Sequence, residues 1–287
     1  MRKYGMILAV LVLLGIAVGT LFFLWTNRAP SSERLEPMTV TLLKVGKADA
    51  IVIQSKGQTM VIDTGEEDDG EELTSFLTKR NISRVDVLII THFDKDHVGG
   101  ADTLVESMAI ERVLIPNYIG TGVKYRDFMD ALDRKGIEPL RLTEPVTFSF
   151  GDAEVLVEPP SSYAIPQGAK EYDNDFSLLT TITHGANRLF FAGDAEKHRI
   201  REWVSGESAA ACDFIKIPHH GVYDKALKEL VDTVSPKFAV ICSSSKNPAD
   251  ARTLELLKQS NIRVFETKDG DVTVISDGNG LEISQKR

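Results

Sequence analysis

The segment "THFDKDHVGG", residues 91–100, sets His92, Asp94, Asp96 and His97 within six positions, directly after the apolar run "VDVLII". Imidazole nitrogens and carboxylate oxygens are the donors that hold divalent metal ions. Three further places repeat the arrangement of a metal-capable side chain behind an apolar stretch: Asp63 after "MVI", Asp194 after "LFFAG", and His219 with His220 after "FIKIP". Loops at strand ends are where rigid folds assemble sites. Two metals held about 4 Å apart can activate water and stabilise a departing oxygen, so the chemistry indicated is hydrolysis. Each residue alone has a plainer use. Asp94, Asp96 and His97 suit the cap of the helix that follows, Asp63 before Thr-Gly suits a turn, and a histidine pair suits an exposed surface. Their recurrence at successive strand ends favours the metal reading. His184, in "ITHGANR", reads as the exposed tip of a hairpin, and His198, beside Arg199 and Arg201, as a solvated helix face.

The elements that must position these residues alternate between β-type and helical patterns from residue 38 onward. "MTVTLLKVG" is a strand and "DAIVIQSKGQTMVIDTG" a hairpin turning at Lys56-Gly57; "EELTSFLTKRN" is helical and "VDVLIITH" a buried strand. A helix starts in "GGADTLVESM", followed by strand "ERVLIPN", helix "YRDFMDALDRKG" and strands near "LRL", "VTFSFG" and "AEVLVEPP". Residues 161–175 show no periodicity and read as a loop. "FSLLTTITHGANRLFFAGD" is a hairpin, "CDFIKIPHHG" a strand ending in two histidines, "KFAVICSSS" a strand, and "IRVFETKDGDVTVISDG" a terminal hairpin. Helices "KHRIREWVSG", "DKALKELVDTV" and "ARTLELLKQSN" lie between them. Two mixed sheets with helices outside each would bury all of these apolar faces, so 38–287 reads as one domain.

Residues 1–3 are a short basic N-terminus, 4–25 form an uncharged 22-residue run, "YGMILAVLVLLGIAVGTLFFLW", and 26–37, "TNRAPSSERLEP", read as a linker. The run is long enough to span a bilayer as a helix. Arg2 and Lys3 favour a cytoplasmic N-terminus, and no small-x-small cleavage site follows. The expectation is a single-pass signal anchor in the cell membrane with the domain on the extracytoplasmic side; the alternative is secretion after signal cleavage. With 43% hydrophobic and 26% charged residues the composition is that of a globular protein. The net charge of −9 gives no general electrostatic case for a broad nucleic-acid-binding surface. Cys212 and Cys242 have no paired-thiol or zinc-ribbon spacing and are expected to be buried free thiols.

"THFDKDHVGG" resembles the first signature of the metallo-β-lactamase superfamily, His-x-His-x-Asp-His; "VIDTG", "FFAGD" and "KIPHHG" resemble its upstream turn, bridging-aspartate strand and last signature. "LLKVGKADAIVI", "DNDFSLL", "FFAGDAE" and "KIPHHG" together are similar to the hydrolase domain attached to the competence DNA-uptake channel ComEC. The resemblance spans about residues 38–284. It implies an α/β, four-layer αββα metallo-β-lactamase sandwich, preceded here by the N-terminal transmembrane helix. It also implies one or two divalent ions, Mn or Zn, with Mg a further candidate. His92 and Asp94 would serve the first metal position, Asp96 and His97 the second, Asp194 would bridge, and His219 or His220 would complete the set. Catalytic work would fall to Asp96 with His219 and His220. Asp49, Asp63 and Asn174 would stand behind the ligands and orient them.

Two departures matter. Asp94 stands where the superfamily has histidine, and "DNDFS", with Asn174 and Ser177, occupies the stretch where a "GH" signature is expected. Both exchange imidazole for oxygen donors, which shifts preference from zinc towards manganese or magnesium. The implied function is a metal-dependent hydrolase of a phosphodiester by metal-activated hydroxide, the resemblance to the ComEC branch suggesting single-stranded DNA as substrate. The alternatives are an envelope ester, lactone or choline-phosphate hydrolase of the same fold, and a non-catalytic membrane-tethered binding protein. No protein partner is indicated.

Overall fold

Lys56 and Gly57 both adopt positive φ, 48° and 77°, the two-residue turn whose twist matches the strands it joins. It links the strands whose ends carry the first functional residues. The computed structural model describes residues 35–164 and 172–286, so the apolar run 4–25 lies outside the described residues. Among the described residues no helix is long and apolar enough to cross a membrane.

In the unit Glu36–Arg287 the strands run β1 Met38–Leu42, β2 Ala50–Ser55, β3 Gln58–Thr64, β4 Arg84–Ile89, β5 Ala109–Pro116, β6 Leu140–Leu142, β7 Val146–Phe150 and β8 Ala153–Glu158. They continue as β9 Leu179–His184, β10 Asn187–Phe191, β11 Phe214–Lys216, β12 Phe238–Ile241, β13 Arg263–Glu266, β14 Asp271–Ser276 and β15 Leu281–Lys286. Eight form one sheet in the order β15-β14-β1-β2-β3-β4-β5-β6, and seven form the other, β13-β12-β11-β10-β9-β8-β7. Strict alternation sorts the side chains into layers. Met60, Ile62, Val87 and Ile89 face Val155, Ile182, Phe191 and Phe214 between the sheets. Val61, Leu88 and Ile90 face outward under the helices Asp69–Thr78, Ala101–Ser107 and Val123–Lys135. Phe190, Ile215 and Ile241 lie under Lys197–Val204, Ala226–Val234 and Ala251–Gln259. This is the expected αββα sandwich.

β3 to β6 are mutually parallel, as are β10 to β13. Parallel strands send their C-terminal ends to one edge, where open α/β sheets place their sites. Asp63 lies at the end of β3, and the 92–97 cluster, Asp194 and His219-His220 follow the ends of β4, β10 and β11. Gly99 and Gly100 are needed there. A Cβ on Gly99 would come within 2.7 Å of the Glu66 backbone, and one on Gly100 within 2.6 Å of the Thr64 carbonyl.

Two expectations are corrected. "IRVFETKDGDVTVISDG" is not a hairpin: β13 pairs with β12 in one sheet, while β14 pairs with β1 and β15 in the other. Gly270, at φ 140°, carries the crossing between sheets. His184 is not exposed but fully buried. Its hairpin tip leans on the β14–β15 turn, with Ala186 N donating to Gly278 O at 2.7 Å, and its Nδ1 lies 2.8 Å from Ser276 Oγ. His198 is exposed, and Cys212 and Cys242 are free and buried, as expected.

Candidate metal centre

His97 is the hub of the site. It is fully buried, with Nδ1 2.7 Å from Asp63 Oδ2 and Nε2 3.3 Å from Asp194 Oδ1. Asp63, itself at φ 57°, also accepts hydrogen bonds from Thr91 N and Thr91 Oγ1, both at 2.7 Å. Its carboxylate therefore ties the end of β3 to the segment after β4 and fixes the ring of His97 from behind. His92, fully buried, packs beside it, the two rings tilted by 50° with centroids 4.1 Å apart. Asp94 occupies the N-cap position of the short helix Lys95–Val98 but makes no capping hydrogen bond. Instead its Oδ2 lies 3.7 Å from His92 Nε2, at the exposed edge of the site.

The second sheet supplies the other half. Asp194, after β10, reaches His220 Nε2 with Oδ2 at 3.1 Å, and Asp96 Oδ2 lies 3.3 Å from the same nitrogen. His220 Nδ1 is 3.1 Å from the Cys242 carbonyl and 3.6 Å from Asp49 Oδ1. The structure thus separates the two histidines that the sequence leaves open. His220 joins Asp96 and His97 in the centre, whereas His219 lies at the lip, 3.0 Å from Glu196. The side-chain amide of Asn174 donates to Glu196 at 3.0 Å.

One participant was missed in the sequence reading. Lys216, at the end of β11, is fully buried. Its ammonium is paired with Asp49 Oδ2, donates to the Gly193 carbonyl at 2.9 Å, and lies 3.4 Å from Asp194 Oδ1. The alternation of β11 carries the signal. Phe214 belongs to the layer between the sheets and Ile215 to the outer layer, so Lys216 must point inward. Burial would lower the ammonium's pKa, but the Asp49 and Asp194 carboxylates outweigh it and hold the lysine above its ordinary value.

The donor set fits a divalent metal. His92 Nε2 is buried without a hydrogen-bond partner among the described residues, which is costly unless something binds it. Two groups, His92–His97–Asp194 and Asp96–His97–His220, each keep their ligand atoms within 4.8 Å of one another. Charges follow the geometry. Burial works to lower the His97 pKa, but Asp194 and Asp63 hold it well above 6.5. Burial likewise opposes charge on His220, which Asp194, then Asp96 and Asp49, overcome. Asp194 is driven up by burial yet held well below the carboxylate range by His220, His97 and Lys216.

Two expected outcomes follow from these charges. In the metal-free protein the raised imidazoles stabilise the fold fully below the unfolded value of 6.5, and that contribution is lost as pH rises through their raised folded values. Metal demands the opposite state, so binding should release protons, measured by calorimetry in buffers of different ionisation enthalpy. Replacing Asp63 by asparagine removes the anion behind His97 and should weaken metal binding roughly 10- to 100-fold in a titration.

A groove of about 420 Å³ adjoins the centre, walled by Phe93, Asp94 and Lys95 on one side and Thr121–Lys124 with Asp173 on the other. The chain is 26% identical over 274 residues to ComE operon protein 3 of Bacillus subtilis, covering 88% of this chain and 34% of that protein. It is also 26% identical over 257 residues to Recombination protein 2 of Haemophilus influenzae, covering 86% and 30%. It therefore spans about a third of the length of the curated relatives it matches. A solved diphosphatase of the PhnP family superposes with a TM-score of 0.51 at 12% identity, covering 84% of this chain and 98% of that one. The metallo-beta-lactamase superfamily model matches residues 43–245, most of the sandwich and every residue of the centre, and the chain belongs to that superfamily.

Proposed function

We propose that the protein is a metal-dependent phosphodiesterase whose substrate class includes single-stranded DNA. The carrying observation is the composition of the centre: Asp94, Asp96 and Asp194 stand against His92, His97 and His220, as many oxygen donors as nitrogen. Such a site suits manganese or zinc, with magnesium admitted, and a substrate that brings anionic oxygens of its own. In this reading His92 and Asp94 would hold one ion and Asp96, His97 and His220 the other, with Asp194 available to both. The relatives named above support the reading: one carries a recombination name, and one solved neighbour is a diphosphatase.

Divalent ions bound here would supply Lewis acidity, bringing the pKa of water towards neutrality and drawing charge from an ester oxygen. The chain's own residues do the rest. Asp63 holds His97 in orientation from behind, and the Cys242 carbonyl does the same for His220. Lys216 sets a buried positive charge against Asp49 and Asp194. Glycine-tight packing at Gly99-Gly100 brings the ligand loop against β3. The groove beside Asp94 gives the substrate a path to the centre. We further propose that residues 4–25 anchor the domain to the cell membrane, extracytoplasmic side outward.

The test is cleavage of end-labelled single-stranded DNA by the purified full chain with Mn²⁺ and with chelator. Metal-dependent cutting that weakens steeply with salt, because phosphate contacts release counterions, supports the reading. Metal binding without any cutting would overturn it in favour of a small envelope ester.

A further inference from the structure

Lys124 sits in the first turn of the helix Val123–Lys135, the end where the peptide dipoles disfavour a positive charge. That turn holds no acidic residue to offset it. Lys95 opens the short helix Lys95–Val98, directly after Asp94. Both lysines line the groove of about 420 Å³ beside the metal centre, a volume in the range that takes a small ligand. Val123, exposed, gives the same groove an apolar face. With Asp94 given to an ion, the lining carries two cations, Lys95 and Lys124, against one anion, Asp173. The chain as a whole is acidic, at −9, so attraction of a polyanion to the centre depends on a local balance of this kind.

One acidic turn reaches both ammonium groups. Lys95 Nζ lies 3.3 Å from Glu66 Oε1. Lys124 Nζ lies 2.7 Å from Glu67 Oε1 and 3.2 Å from Asp127 Oδ2. Glu66 and Glu67 come just after β3, in "GEEDDGEE", where Asp69 accepts from Glu66 N at 2.7 Å and pins the turn. Burial works against the charge on Lys124, but Glu67 and Asp127 outweigh it and hold its pKa above the ordinary value. Exposed ion pairs are worth about 0–1 kcal/mol each, so they are exchanged at little cost. A strand whose scissile phosphate already sits at the ions presents its next phosphate at high effective concentration, which favours that exchange.

The geometry points to Lys95 and Lys124 as the residues that bind the backbone phosphate next to the scissile one, with Glu66 and Glu67 holding the two ammonium groups until a strand enters. The inference rests on the phosphodiesterase reading of the centre. The two lysines touch the substrate away from the reacting atoms and select a strand over an isolated ester. Val123 packs against the sugar or base between the two phosphates. The glutamates act as the competing anions, which makes entry selective for a chain with more than one phosphate.

The test uses the full chain loaded with Mn²⁺ and two probes: thymidylyl-thymidine, whose single phosphate has no neighbour, and a short oligothymidylate. Initial rates over a range of salt concentrations compare the unaltered protein with K95Q, K124Q, K124R, E67Q and K228Q. Lys228 is exposed on the helix Ala226–Val234 and controls for net charge. Each lysine lost should lower the salt slope of log kcat/KM for the oligomer by about 0.7. It should also narrow the preference for oligomer over dinucleotide roughly tenfold, the scale of one hydrogen bond to a charged group. K124R keeps the preference, E67Q widens it, and K228Q leaves preference and slope as they were. No preference in the unaltered protein, slopes and preferences in K95Q and K124Q equal to the unaltered ones, or a narrowed preference in E67Q would each overturn the proposal. Hydrolysis of neither probe by the unaltered protein with Mn²⁺ bound removes the phosphodiesterase reading and this proposal with it.

Discussion

Asp194→Ala eliminates metal-dependent turnover in a domain that still folds. Asp194 faces both halves of the site, with Oδ1 3.3 Å from His97 Nε2 and Oδ2 3.1 Å from His220 Nε2. Without it neither proposed ion keeps its shared anion, and several kcal/mol of charge stabilisation, at about 1.4 kcal/mol per tenfold, makes the loss roughly 10³-fold or more. The fold survives because Lys216 keeps Asp49 and the Gly193 carbonyl. The two imidazoles, freed of the anion that raises them, return towards the neutral form and cost less to bury. Circular dichroism and metal stoichiometry accompany the rate measurement. Turnover within tenfold of the unaltered protein would refute the assigned centre.

Lys216→Met has the opposite profile, with stability lost before chemistry. Asp49 is 1% exposed and its Oδ1 has no hydrogen-bond partner among the described residues; the lysine is its nearest cation, with His220 Nδ1 3.6 Å and His97 Nδ1 3.9 Å away. Removing one member of a buried ion pair costs about 3–5 kcal/mol. At about 2–4 °C per kcal/mol for a domain of this size, the melting temperature should drop by roughly 6–20 °C. Adding Asp49→Asn to Lys216→Met removes the stranded charge and should recover most of the loss. A Lys216→Met protein that melts with the unaltered one would show that the pair is not buried in solution.

That the 92–97 cluster and Asp194 come together was legible because their signal is local: a strand read from its apolar run, then donor-type residues at its end. Lys216 was not, because a lysine in a strand ordinarily faces water. What turns it inward is Asp49, delivered by a loop at the start of the opposite sheet. His184 fails for the mirror reason. A hairpin tip is exposed unless another hairpin packs on it, and Gly278 does so here. The choice between His219 and His220 depends on two backbone torsions, for which neighbouring identical side chains carry no pattern. "ETKDGD" has every mark of a tight turn, yet Gly270 sends the chain across the sandwich.

The donors are divided between the two sheets, and this bears on the order of events during synthesis. Asp63 and the 92–97 cluster leave the ribosome well before their partners; His220 follows His97 by 123 residues. The early half has carboxylates and imidazoles enough to pick up an ion loosely, but its lasting grip waits on the arrival of β10 and β11. Metal loading is therefore a late step, and an ion held tightly marks a chain whose two sheets have already met.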